Sequence, residues 1–336
     1  MNKKILLTGA TGFIGHYLAH HLVKSGHQLR LLVRSTSQLD HLSSIKDQLE
    51  FITGDMLDFP SLEDAVAGCD TIIHAAAMVS FQRKEQQLMM DINGRGTKML
   101  IDVALHHGVN RFIHMSSVSA LDRNVKGVIS EENRWQETRP HSAYAQSKFV
   151  AEREIWRGQG EGLSVAALYP SIVIGAGRWT SDSTPSLYDK VAKGLKYYPT
   201  GSSGYVDVRD VAKATEMVLG RDVNGDRFLL NAENMSWQRA FAQIANSLEM
   251  PPPSFSIPPW LSGLAWPVFG LLGTITGKTP TITRDTHRTA QSKLVYDGSK
   301  ITRETGFKYR PIETTFQETG EAYRAVNGKT AWLAVS

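Results

Sequence analysis

The 336-residue chain is poor in cysteine, in massed charge and in repeats, and each shortage removes a class of protein. Its single cysteine, Cys69, cannot form an intramolecular disulfide, which fits a reducing compartment. No basic partner adjoins Cys69, so nothing marks it as a nucleophile. A net charge of +4 arises from 37 basic and 33 acidic residues that are scattered; Asn2-Lys3-Lys4 comes nearest to a basic cluster. Mild basicity suits an anionic cofactor or substrate and gives no reason to expect nucleic acid. His16 and His20 have ligand-like spacing, but no glutamate follows His16, and no metal site is expected. No secretory signal precedes the apolar run at Ile5, so a cytoplasmic location is expected.

Charge is missing altogether from Pro251 to Gly277, a length that would admit a membrane span. Pro251, Pro252, Pro253, Pro258, Pro259 and Pro267 break the segment repeatedly, and Leu261, Leu264, Ala265, Val268, Leu272 and Ile275 recur at helical spacing. A core or lid helix over 260–276 is expected rather than a span, with membrane-surface contact through 258–276 as the alternative.

The informative stretch is Thr8-Gly9-Ala10-Thr11-Gly12-Phe13-Ile14-Gly15, directly after Ile5-Leu6-Leu7. A buried strand ending in glycines that open a helix can hold a diphosphate. Gly9 permits the tight turn, Gly12 lets the main chain approach the phosphates, and Gly15 allows helix to pack on strand. The helix N-terminus adds free N–H groups and a positive dipole end. Strand-like runs at 5–8, 28–33, 50–53, 71–75, 111–116 and 164–169 alternate with helical patterns at 13–25, 61–67, 85–107 and 143–158. That alternation predicts an α/β fold: a doubly wound parallel sheet of Rossmann type with a smaller, interleaved C-terminal substrate lobe. The expected boundaries are 1–170 plus 203–232 for the dinucleotide-binding domain, and 171–202 plus 233–328 for the lobe.

An NAD-selective site would place an acid after the second strand to bind the ribose 2′-hydroxyl. This chain has Arg34-Ser35-Thr36-Ser37 there, and a guanidinium can pair with a 2′-phosphate. NADP(H) is the preferred cofactor, with NAD(H) the alternative. Asp55 and Met56, after the third strand, would lie beside the adenine. Ala75, Ala76 and Ala77, after the fourth, are small enough for a dinucleotide to lie against the backbone.

Tyr144-Ala145-Gln146-Ser147-Lys148 puts a phenol and an ammonium one helical turn apart. A nearby cation favours phenolate, so a lowered tyrosine pKa and proton exchange with an alcohol or carbonyl are expected. Ser117, just beyond the fifth strand, can donate to a substrate oxygen, with Ser116 its rival. Tyr296-Asp297-Gly298-Ser299-Lys300 repeats the spacing, but Gly298 sits inside it and no serine-tipped strand precedes it, so it reads as coincidence.

Together these residues resemble the extended branch of the short-chain dehydrogenase/reductase (epimerase/dehydratase) superfamily over nearly the whole chain. The resemblance implies a small-molecule oxidoreductase, a homodimer paired through the helices at 85–107 and 143–158, and Asn93 as an active-site orienter. It also implies that Pro170-Ser171-Ile172-Val173 covers the nicotinamide carboxamide and that Tyr205–Val211 is a structural motif. Sugar-nucleotide dehydratases of the branch carry Thr-Asp-Glu after strand five, where this chain has Ser116-Ser117-Val118, so dehydration is not expected. The chain looks most like the dihydroflavonol reductase and 3β-hydroxysteroid dehydrogenase groups. Those interconvert a ketone and a secondary alcohol on bulky, apolar molecules, for which Phe81, Trp179, Tyr197 and Tyr198 are candidate pocket residues. A nucleotide-sugar epimerase and a non-catalytic NADP-binding redox sensor are the two alternatives.

Overall fold

A computed structural model describes residues 3–80, 82–125, 127–136, 141–179, 183–221, 224–258, 290–326 and 330–335. The expected helix at 260–276 and Phe81 lie outside the described residues.

Seven strands form one wholly parallel sheet: β1 (Lys4–Thr8), β2 (Gln28–Val33), β3 (Leu49–Thr53), β4 (Thr71–His74), β5 (Arg111–Met115), β6 (Ser164–Pro170) and β10 (Asp226–Leu230). Their order is β10-β6-β5-β4-β1-β2-β3. The central strands read as unbroken apolar runs because helices cover both faces. Period-two alternation then sorts neighbouring residues. Ile5 and Leu7 face a core shared with helices α1 (Phe13–Lys24) and α7 (Val208–Leu219), whereas Leu6 faces the opposite layer. That second layer holds α2 (Phe59–Val66), α4 (Gly96–His106) and α5 (Ala143–Gly160). Strand order reverses between β1 and β4, which opens a crevice beyond their carboxyl ends.

A smaller unit stands over that crevice. Strands β7 (Ile172–Ile174), β9 (Ser202–Asp207) and β11 (Glu233–Ser236) make a second sheet, and β8 (Tyr197–Pro199) pairs with β12 (Phe255–Ile257). Helices α6 (Ser186–Ala192), α8 (Trp237–Ser247) and α10 (Ile312–Ala325) pack on a separate apolar core containing Trp179, Tyr188, Phe241 and Phe316. A further helix, α9 (Ser299–Thr305), packs beside β10.

The motif at 205–211 ties the two units together. Fully buried Asp207 caps α7 by accepting from the Arg209 N–H at 2.7 Å. It also accepts from Arg209 Nε at 3.0 Å and Thr315 Oγ1 at 2.8 Å, and pairs with Arg310 at 3.5 Å.

The helical pattern at 85–107 forms one run of helix with a change of hydrogen-bond step inside it. It is α3 (Gln86–Met90), then a π-helical turn at Asp91–Arg95, then α4. Here a Cβ on Gly94 would stand 2.9 Å from Val150 Cγ1, so the glycine allows α5 to approach closely. No helix among the described residues is long and apolar enough to cross a membrane.

Candidate active site

The glycine turn adopts the geometry its residues permit. Gly9 has φ +77°, and a Cβ there would lie 2.5 Å from the Ala76 nitrogen, so the turn and the alanine segment after β4 nearly touch. A Cβ on Gly15 would fall 2.0 Å from the Gly9 carbonyl oxygen, which is why α1 can rest on β1. Gly12 caps α1 without a side-chain hydrogen bond, leaving first-turn N–H groups open.

Two adjoining clefts of about 670 and 520 Å³ follow the carboxyl edge of the sheet, sizes usual for small-molecule sites. Arg34, Asp55, Met56 and Ala76 line the smaller one, with Ser37, whose Oγ accepts from the Arg34 N–H at 3.1 Å. Phe13, Ile14 and Gly15 line the larger, and so do Pro170, Ser171, Ile172 and Val173. Gly9, Thr11, Gly12, Ala75 and Ala77 line both. Ala10 does not; its side chain is buried in the core under α1. Glycines that nothing larger could replace, an open helix start and a divided cleft fit a dinucleotide.

Ser117, Tyr144 and Lys148 meet on the wall of the larger cleft. Ser142 starts α5 by accepting from the Ala145 N–H at 3.1 Å, which sets Tyr144 in the first turn and Lys148 in the next. Ser117 Oγ accepts from the Ser119 N–H at 3.1 Å, and Ser117 stands near enough to Tyr144 to influence the phenol. Ser116 lines the same cleft, and its hydroxyl donates to buried Glu152 at 3.4 Å.

The electrostatics differ from the sequence expectation. Burial raises the Tyr144 pKa, opposed by Ser117 and the charge of Arg123. Lys148 is 2% exposed and its ammonium donates a hydrogen bond to the Met115 carbonyl at 2.7 Å, at the tip of β5. Burial lowers its pKa to about 8, against the pull of Glu152. The ammonium thus serves the strand end, and desolvation governs the phenol.

Asn93, in the π turn, lies outside both clefts and acts as a brace. Its amide donates to Ser147 Oγ and to the Met78 carbonyl, each at 2.9 Å, and its oxygen accepts from the Met78 N–H at 2.7 Å. Ser147 donates in turn to the Tyr144 carbonyl at 2.8 Å. Beneath lies a buried chain: Thr8 Oγ1 to His74 at 2.7 Å, His74 to Thr97 Oγ1 at 2.9 Å, and Thr97 to the Asn93 carbonyl at 2.5 Å. Burial holds His74 and its strand neighbour His114 neutral. The second Tyr-x-x-x-Lys lines neither cleft: Tyr296 is buried in a core with Leu229 and Leu294.

The expected aromatic lining is not the observed one. Trp179 is 1% exposed and packs against Tyr188 and Tyr323 in the smaller core, while Tyr197 is 54% exposed beside Phe255. Tyr198 is part of that core too. The apolar wall consists instead of Val79, Ile172, Leu187, Trp237 and Trp332. Trp332 stacks on His16 at 3.8 Å, so the expected histidine pair on α1 meets an aromatic from the C-terminal stretch. Arg178 lines both clefts and was also missed, since no local pattern brings either residue to the site.

Comparison with known proteins agrees with this geometry. The NAD dependent epimerase/dehydratase family matches residues 5–230. A putative dihydroflavonol 4-reductase of Synechocystis sp. is 29% identical over 316 residues, covering 91% of this chain and 90% of that protein. Sterol demethylase protein B of Methylococcus capsulatus is 30% identical over 261 residues, covering 76% of this chain and 78% of that protein. Among solved structures, gox2253 superposes with a TM-score of 0.84 at 28% identity, covering 98% of this chain and 100% of that one. DesIV of Streptomyces venezuelae, a dTDP-glucose 4,6-dehydratase solved with NAD and TYD, shares the fold at TM-score 0.78 and 19% identity, covering 97% and 98%. The chain belongs to the NAD dependent epimerase/dehydratase family and is an NAD(P)-dependent oxidoreductase of the short-chain dehydrogenase/reductase type.

Proposed function

We propose that this family member interconverts a ketone and a secondary alcohol on a bulky, apolar substrate, using NADP(H) and Tyr144 as general acid and base. The carrying observation is the meeting of Ser117, Tyr144 and Lys148 in the cleft that ends at the glycine turn. When bound, a nicotinamide supplies or accepts the hydride. The chain's own residues handle the oxygen and the proton. Ser117 and Tyr144 hold the substrate oxygen where charge develops. The raised pKa keeps the phenol protonated at neutral pH, the form that donates to an alkoxide in the reducing direction. Lys148, with a pKa near 8, gains and loses a proton readily under the same conditions.

Substrate class and cofactor choice rest on the walls. Val79, Leu187, Trp237 and Trp332 favour an apolar substrate, and the relatives named for dihydroflavonol and sterol chemistry point the same way. Arg34 and Ser37, with no acid between them, suit a 2′-phosphate. The same reading has the enzyme in the cytoplasm as a homodimer paired through the helices at 85–107 and 143–158.

The test is Tyr144→Phe, assayed by NADPH consumption with steroid and flavonoid ketones. Turnover should fall by about 10²–10⁴-fold while NADPH affinity stays within about twofold. Near-normal turnover would remove Tyr144 from the chemistry. Interconversion of sugar epimers without net NADPH consumption would favour an epimerase.

A further inference from the structure

We propose that Arg178 is a cofactor-binding residue that closes over the diphosphate of the dinucleotide, opposite the glycine turn. The inference rests on the dinucleotide reading above and adds a group from the other unit of the fold.

Six described residues line both clefts and so mark the neck between them: Gly9, Thr11, Gly12, Ala75, Ala77 and Arg178. Five belong to the glycine turn or to the segment after β4 and carry no charge. Arg178 is the one charged member and comes from the loop after β7. A dinucleotide laid along both clefts has its diphosphate at their junction. There the open N–H groups of α1 approach from one side and a guanidinium from the other, a geometry suited to bidentate pairing with phosphate oxygens.

The loop that carries Arg178 is seated for this role. Tyr17 of α1 donates to the Ala176 carbonyl at 2.9 Å. A Cβ on Gly177 would stand 3.1 Å from the Phe13 ring, and one on Gly175 would stand 3.3 Å from it. Two glycines and one hydrogen bond thus hold the loop flat on the first turns of α1. Arg178 then reaches the strand β2 side, where Nη2 lies 3.5 Å from the Gln38 carbonyl. Arg34 lines the smaller cleft alone, so the two arginines divide the ligand's charge between its end and its middle.

The experiment is calorimetric titration of wild type, Arg178→Met and Arg178→Lys with NADP⁺, NAD⁺ and 2′-AMP, each protein checked by thermal melting. The methionine variant should lose about 10–100-fold in affinity for NADP⁺ and NAD⁺ alike, and about twofold or less for 2′-AMP, which lacks a diphosphate. The lysine variant should recover part of the loss, and it carries the test if the methionine variant does not fold. Unchanged binding of both dinucleotides by either folded variant overturns the proposal. A loss confined to NADP⁺ and 2′-AMP also overturns it, because Arg178 would then read the 2′-phosphate. Failure of wild type to bind either dinucleotide would instead overturn the cofactor reading itself.

Discussion

Replacing Lys148 by methionine is expected to stabilise the nucleotide-free fold while abolishing turnover. Lys148 is almost fully buried and its pKa falls from 10.5 to about 8. The folded state therefore binds its proton less firmly than the unfolded chain does. Below pH 8 the side chain is charged in both states, and burying that charge costs about 3 kcal/mol. Between pH 8 and 10.5 the unfolded chain holds more protons, so this cost fades as pH rises. Methionine is similar in length and removes the charge, but leaves the Met115 carbonyl without the donor it meets at 2.7 Å, a loss of about 1 kcal/mol. The net gain at pH 7 is about 2 kcal/mol, or roughly 3 °C in melting temperature for a chain of this size. Circular dichroism melts of both proteins at pH 7 and pH 10.5 would test it. The variant should melt higher at pH 7, and its advantage should vanish at pH 10.5. A variant that melts lower at neutral pH, or a gap that ignores pH, would refute the view that Lys148 is kept for chemistry at the expense of stability.

Asp207→Ala should destabilise the fold by about 3 kcal/mol in urea unfolding, because it strips a buried carboxylate from Arg209, Thr315 and Arg310. A loss below about 1 kcal/mol would show that Glu318, the other partner of Arg209, suffices. Arg34→Ala should raise the KM for NADPH by about tenfold or more and leave that for NADH within about twofold, in keeping with a lost guanidinium–phosphate pair. Equal changes for both cofactors in steady-state kinetics would contradict a 2′-phosphate role.

Much of the fold is readable in short windows. The alternation of apolar runs and helical patterns up to residue 170 forecasts six strands of the parallel sheet, with ends shifted by only a residue or so. The helix over 85–107 is legible from its periodicity; the π turn inside it is not, and it coincides with the close approach of Val150, on another helix, to Gly94. Beyond Pro170 the pattern loses force, since β7, β9 and β11 draw partners from distant parts of the chain. At the site, the choice of Tyr144 over Tyr296 was legible from the neighbouring residues. Ser117 and its rival Ser116 both reach the cleft, because the chain beyond β5 turns there, and Ser116 also meets Glu152.

The glycine turn, the missing acid after β2 and the tyrosine–lysine pair are properties of residues a few positions apart. Backbone sterics and helical pitch bind such features together before any distant contact forms, so the sequence by itself determined the glycine turn and the helix that sets Tyr144 one turn before Lys148. Only tertiary structure decided the proton affinities and the walls. Burial raises the proton affinity of the phenol where a lowered one was expected, because desolvation depends on everything packed around the group. Trp332 meets His16, and Arg178 reaches the neck of the cleft, across separations that no local pattern records.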